Sequence, residues 1–217
     1  MQIDNHMKKK IIITGGLGYI GTELCKIYSG VSWHHEIIVI DNRFISERVN
    51  QIRNWNMEFI HGDILDKDLV NRYFKNADIV HHLAGITDVP RTKSESSGDL
   101  DEKIKLVGEK GTQNILDAIS KECKIIFPST HVVYEGIDEV KNDIKEEEET
   151  KPVLSYSSSK AINEKQLRES GKNYVILRLG SVYGYSTDTT RIDIMPNLFS
   201  KIASQNGILK LFSGGRQ

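Results

Sequence analysis

Cysteine, proline and tryptophan are scarce: 217 residues hold two, four and two of them. Cys25 and Cys123 imply no disulfide framework and lack the spacing of metal ligands, so they read as buried thiols in a reducing cytoplasm. An excess of one charge is also missing. The 29 basic and 30 acidic residues are spread along the chain and leave a formal charge of −1, which argues against nucleic acid or an anionic membrane and for a small-molecule partner. No apolar run approaches the ~20 residues of a membrane span and no signal-peptide core opens the chain, so the sequence predicts a soluble intracellular protein. The length suits one sizeable domain that buries its own core, with a fragment of a second. Met1 to His6 is polar, with Met7 a candidate natural start.

What is present begins at Lys10. Ile11-Ile12-Ile13-Thr14 is an apolar run, Gly15-Gly16-Leu17-Gly18-Tyr19-Ile20-Gly21 is glycine-rich, and Thr22 to Tyr28 carries apolar residues at helical spacing. The stretch reads as strand, turn, helix. Gly16, Gly18 and Gly21 fit G-x-G-x-x-G, in which missing Cβ atoms let the backbone approach a pyrophosphate at the positive end of the following helix. Asp41 closes the next apolar run, Glu36 to Ile40, where an acidic side chain accepts hydrogen bonds from the adenosine ribose. A carboxylate there repels a 2′-phosphate, which favours NAD over NADP, and Arg43 partly offsets that repulsion.

The rest of the chain alternates strand and helix. Ser46 to Asn54 reads as a short helix and Met57 to Ile64 as a third strand. Asp63, at that strand's end, either accepts from the adenine amino group or N-caps a helix from Leu65 to Lys75. Asp78 to Gly85 is a fourth strand running into a small-residue turn, where Ala84 and Gly85 permit close approach of a cofactor. His81 and His82 are strand neighbours that point to opposite faces, which argues against a shared metal. Thr92 to Asp101 reads as a loop and Glu102 to Lys121 as a helix. Lys124 to Thr130 is a fifth strand delivering two hydroxyls. Asp138 to Lys151, with four consecutive glutamates from Glu146, reads as a solvated excursion. Helix Ser155 to Ser170, strand Tyr174 to Gly180, a helix around Pro196 to Ser204 and a short strand Leu209 to Phe212 complete the pattern. Alternating βα units predict an α/β fold of the Rossmann type, a doubly wound parallel sheet with helices on both faces.

Tyr156 and Lys160 stand at i and i+4, on one helix face. An ammonium beside a phenol of reference pKa about 10 favours the phenolate, each unit of lowering being worth about 1.36 kcal/mol. Tyr156 is then a candidate acid/base, taking a proton from a substrate hydroxyl while hydride leaves for the cofactor. Thr130 is placed to hydrogen-bond the reacting oxygen.

Taken together, Thr14 to Gly21, Asp41, Asp63-Ile64, Leu83-Ala84-Gly85, Gly111 to Asn114, Ser129-Thr130, Tyr156 to Lys160 and Val182-Tyr183-Gly184 resemble an extended short-chain dehydrogenase/reductase. More narrowly they resemble the NAD-dependent epimerase/dehydratase family that includes UDP-glucose 4-epimerase. The resemblance implies Thr130, Tyr156 and Lys160 as the catalytic set. It implies Gly15, Gly18, Tyr19, Ile20, Gly21, Asp41, Asn42, Asp63, Ile64, Leu83, Ala84 and Gly85, with Tyr156 and Lys160, as the NAD site. It further implies a nucleotide-sugar substrate, most simply a UDP-sugar, oxidised and re-reduced at one sugar carbon. A homodimer through a four-helix bundle is a further implication, with Ile162 and Leu167 either on its face or in the core.

Four departures shape this reading. Dehydratases of the family carry an Asp-Glu pair right after the catalytic Thr, whereas His131-Val132 follow Thr130. Gly108 stands where many members have Asn, and Ser181 does likewise before Val182-Tyr183-Gly184. Members continue well past Gly214-Gly215-Arg216-Gln217, into residues that complete the substrate domain. The expected organisation is a tail over residues 1–9, an NAD-binding domain over 10–184 and the start of an incomplete substrate-binding region over 185–217. The rival readings are a sugar reductase or dehydrogenase with net cofactor turnover, and a cofactor-binding module without turnover.

Overall fold

The structure, a computed structural model, describes residues 8–87, 97–139, 141–187, 191–192 and 194–211. Its sheet has six parallel strands: β1 (Lys10–Thr14), β2 (Glu36–Asp41), β3 (Glu58–His61), β4 (Ile79–His82), β5 (Lys124–Thr130) and β6 (Asn173–Leu179). Their order is β3-β2-β1-β4-β5-β6. Chain direction across the sheet reverses at β1, which pairs Ile13 with Val39 on one side and with His81 on the other. A crevice opens beyond the strand ends at such a reversal.

The run Ile11-Ile12-Ile13 suits this central position because successive side chains alternate faces and both faces are covered. Ile12 packs with Ile38, Ile40, Phe74, Ile115, Phe127 and Leu167, while Ile11 and Ile13 pack with Leu17, Cys25, Val39 and Phe59. Burying each such side chain contributes about 1.5–3 kcal/mol. The helices are α1 (Tyr19–Ser29), α2 (Ser46–Asn54), α3 (Lys67–Phe74), α4 (Gly98–Lys105), α5 (Gly111–Ala118), α6 (Ser155–Glu169) and α7 (Met195–Ser204), the last of which buries none of its residues.

Several boundaries differ from the sequence expectation. The helix start belongs to Asp66, whose carboxylate accepts from Asp68 N at 3.0 Å and Leu69 N at 3.1 Å, and not to Asp63. Residues 98–101, expected in a loop, form the first turn of α4, with Ser97 as N-cap and Asp99 and Asp101 at its positive end. Positions 92–96 of that loop lie outside the described residues. The single helix expected over 102–121 is interrupted by a π-helical turn, Leu106–Lys110. Leu209 to Leu211 are not in a strand, and Phe212 lies outside the described residues. Leu167 is core, whereas Ile162 is exposed.

Candidate active site

The glycine-rich turn is tightened by close backbone approach. Gly15 has φ +66°, and a Cβ on it would lie 2.8 Å from Ala84 N. A Cβ on Gly21 would strike the Gly15 carbonyl. Gly18 N-caps α1 without a side-chain hydrogen bond, leaving the first-turn N–H groups of Tyr19, Ile20 and Gly21 to an anion. Asp41, buried at the end of β2, accepts from Leu17 N at 2.9 Å through one carboxylate oxygen. The other accepts from Arg43 N at 2.9 Å and Arg43 Nε at 3.4 Å. Asn42 Nδ2 donates to Asp63 at 3.0 Å, and Asp63 also accepts from Leu65 N at 2.9 Å. Ile64 is buried beside them, its carbonyl accepting from Asn114 Nδ2 at 3.0 Å. These groups stand along one sheet edge. A turn that excludes Cβ atoms, an uncapped helix start and a pinned carboxylate fit a dinucleotide with a free ribose 2′-hydroxyl.

On the other side of β1, Ala84 N donates to Thr14 Oγ1 at 3.0 Å. Thr14 Oγ1 is 3.1 Å from His82 Nδ1, and His82 Nε2 is 2.9 Å from Thr112 Oγ1. Burial, helped by the charge of Lys160, pushes the His82 pKa down to about 3, so the ring is a neutral hydrogen-bonding brace. His81 faces the opposite way, with Nε2 2.7 Å from the Tyr28 hydroxyl.

Leu83, Ala84 and Gly85 line one cavity with Thr87, Tyr156 and Lys160. Tyr156 is in the first turn of α6, whose start is tied down by Glu135. That carboxylate accepts from Val153 N and Leu154 N, both at 2.7 Å, and from Ser157 Oγ. Thr130 ends β5, and its Oγ1 accepts from Val132 N at 3.3 Å. Burial raises the Tyr156 phenol above its ordinary value.

Lys160 shares the helix face of Tyr156 but its ammonium is turned inward. Nζ donates to Pro128 O at 2.7 Å, lies 4.3 Å from the Phe127 ring centroid and is 5.9 Å from that of Tyr156. Burial lowers its pKa to about 8, against a raising effect of Glu164.

Sequence reasoning missed three supports of this site. Glu164, one turn beyond Lys160, accepts from Ser129 Oγ at 2.6 Å and pairs with Arg178 and Arg168; the i+4 spacing from Lys160 was the available signal. Asn197 bonds the Tyr19 hydroxyl at 3.0 Å and Gly184 N at 2.9 Å, tying α7 to the glycine-rich turn. Arg191 reaches Thr87 O at 2.9 Å. Neither Asn197 nor Arg191 sits in a recognisable local pattern, because their partners are distant in sequence.

The departure at Gly108 has a steric reason. A Cβ there would strike Ser159 Oγ, and the Gly108 carbonyl accepts from Asn163 Nδ2 at 3.1 Å.

The chain is 32% identical over 203 residues to CDP-paratose 2-epimerase of Salmonella typhi, covering 81% of this chain and 58% of that protein. It is 30% identical over 202 residues to dTDP-D-glucose 4,6-dehydratase of Dictyostelium discoideum, covering 83% and 45% respectively. The solved UDP-glucuronic acid 4-epimerase of Bacillus cereus, in complex with UDP-glucuronic acid and NAD, superposes with a TM-score of 0.75 at 27% identity, over 96% of this chain and 67% of that one. The chain spans about half the length of the curated relatives it matches. The NAD dependent epimerase/dehydratase family matches residues 11–217. On that match, and on the fold that agrees with it, the chain belongs to the NAD dependent epimerase/dehydratase family.

Proposed function

We propose that this chain carries the cofactor-binding and acid/base half of a nucleotide-sugar epimerase, with a UDP-sugar as substrate and Tyr156 as acid/base. NAD is the family's cofactor. When bound, it supplies a reversible two-electron acceptor at the sugar carbon. The observation that carries the reading is that Tyr156 and Lys160 line one cavity with Leu83, Ala84 and Gly85. Tyr156 takes the proton from the substrate hydroxyl and later returns it to the same oxygen. Thr130 orients that exchange, and Lys160 adds positive charge behind it. Arg43 meets the Asp41 carboxylate, and Asp41 in turn is set to accept from a ribose hydroxyl.

Epimerisation is favoured over 4,6-dehydration because no carboxylate follows Thr130. His131 Nδ1 is bonded to Leu179 O at 3.1 Å, and the next acid, Glu135, is committed to the start of α6. UDP-sugars are favoured because the Bacillus cereus neighbour is a complex with one. A homodimer through the α6 face belongs to the same proposal, with Ile162 contributing; light scattering that finds a monomer at high concentration refutes that part.

The test is incubation with NAD and UDP-glucose or UDP-glucuronic acid, with product sugars resolved by chromatography. The expected result is an epimer formed by the wild type and absent with Tyr156→Phe. Steady accumulation of reduced cofactor with an oxidised sugar points instead to a dehydrogenase.

A further inference from the structure

Two parts of the chain that lie 165 residues apart meet at one side chain. The Tyr19 hydroxyl donates to Gly184 O and accepts from Asn197 Nδ2 at 3.0 Å. Asn197 Oδ1 accepts in turn from Gly184 N at 2.9 Å, so the hydroxyl, the carboxamide and the Gly184 backbone form one closed ring of hydrogen bonds. Gly184 has φ +124°, which glycine adopts without strain. The Tyr19 main-chain carbonyl takes a further bond, from Ser186 Oγ at 3.0 Å.

A second crossing runs beside the first. Arg48 donates to Leu17 O through Nη1 and to Thr187 O at 3.3 Å through Nη2, and Leu17 N is the donor that fixes Asp41. Arg191 Nη1 donates to Thr87 O at 2.9 Å, and Thr87 lines the cavity that holds Tyr156. Residues 184–187 are fastened to the glycine-rich turn, and Arg191 to the turn after β4.

We propose that Tyr19 is a positioning residue that couples the cofactor site to residues 184–187, so that a dinucleotide held on the first turn of α1 fixes the entry to the substrate-binding region. The proposal rests on residues 185–217 being the start of that region. The Tyr19 N–H is one of three left to an anion, because Gly18 caps α1 without a side-chain bond. Its carbonyl and hydroxyl meanwhile hold Ser186, Gly184 and Asn197. An anion seated on that N–H restrains the turn, and with it both groups that grip the distant segment. The effect is a coupling between two sites through one residue. Tyr19→Phe keeps the N–H and the ring and removes the hydroxyl alone.

The test is hydrogen exchange of the full chain, read by mass spectrometry on peptides spanning Tyr183 to Thr187, without NAD and at saturating NAD. Gly184 N is the reporter, since it donates to Asn197. In the wild type NAD is expected to slow exchange there by about tenfold. Tyr19→Phe is expected to bind NAD with unchanged affinity by calorimetry, yet to lose the slowing. Asn197→Ala, which removes another member of the ring, is expected to lose it as well, with no further change in the double variant. The proposal is overturned if NAD bound to the wild type leaves this peptide unchanged, or if Tyr19→Phe retains the slowing. A hydroxyl that merely packs gives the second result, with exchange faster by one factor in both conditions. Should Tyr19→Phe fail to fold, Asn197→Ala decides by the same criterion. A wild type that binds no NAD refutes the cofactor site and the coupling together, whereas one that binds NAD without slowing at Gly184 refutes the coupling alone. Absence of sugar turnover, assayed separately, bears only on the epimerase reading.

Discussion

Arg178 grips Glu164 with two nitrogens, Nε on Oε1 at 2.9 Å and Nη2 on Oε2 at 2.7 Å, joining β6 to the helix that carries Tyr156. Ser129 and Arg168 add two further bonds to the same carboxylate, which is 1% exposed on its side chain. A carboxylate this deep is stable only while its partners remain.

Glu164→Ala is therefore expected to cost about 3–5 kcal/mol, since it leaves Arg178 without its buried partner. Burial pushes the Glu164 carboxyl up, but hydrogen bonds from Arg178 and Ser129 and the two arginine charges outweigh it and hold it below its ordinary value of 4.5. A group depressed in the folded state stabilises above its unfolded pKa and loses that contribution as pH falls through its folded one. Urea midpoints of wild type and Glu164→Gln should converge as pH drops below about 4.5. A gap that stays constant with pH contradicts this account.

At Lys160 it is the charged form that burial disfavours. Its proton leaves at about 8 in the folded chain against 10.5 ordinarily, so the unfolded state binds more protons between those values and stability rises with pH there. Lys160→Met should flatten that rise in thermal unfolding and raise the melting temperature at pH 7, while impairing turnover. A lower melting temperature with the rise intact refutes the assignment.

Gly15→Ala combines a left-handed φ with a Cβ set against Ala84 N. The backbone term alone is worth about 1–3 kcal/mol. The expected result is a destabilised chain with weakened NAD binding, read by denaturation and calorimetry; unchanged values in both contradict the described turn.

Both thiols are silent in the folded state. Burial raises Cys25 to about 12 and Cys123 to about 11. A disulfide reagent at pH 8 should label neither in native protein and both in denaturant, by mass spectrometry. Rapid native labelling of either is inconsistent with the two cores.

Much of this was legible from local chemistry. The bounds of β5 follow from a β-branched run ending in hydroxyls, and the glycine turn from spacing alone. The π-helical turn at Leu106–Lys110 was not legible, because a single extra residue per turn scarcely disturbs apolar periodicity. Gly108 stands out in the sequence as a defect, and only the fold shows Ser159 occupying the space of its missing side chain. Tyr156 and Lys160 were identified from their spacing, but the direction of the Lys160 ammonium depends on Pro128 and Phe127, which no helical pattern reveals. Arg191 and Asn197 are the clearest omissions: their partners, Thr87 and Tyr19, are far away in the chain.

The most direct measurement of the central claim follows the hydride. A UDP-sugar deuterated at the carbon under test is incubated with NAD and the chain in ordinary water, and the epimer is analysed by mass spectrometry and NMR. The account predicts an epimer that keeps its deuterium at that carbon, formed without net reduced cofactor and not formed by Tyr156→Phe. Loss of deuterium to water, or an epimer formed equally well by Tyr156→Phe, contradicts it.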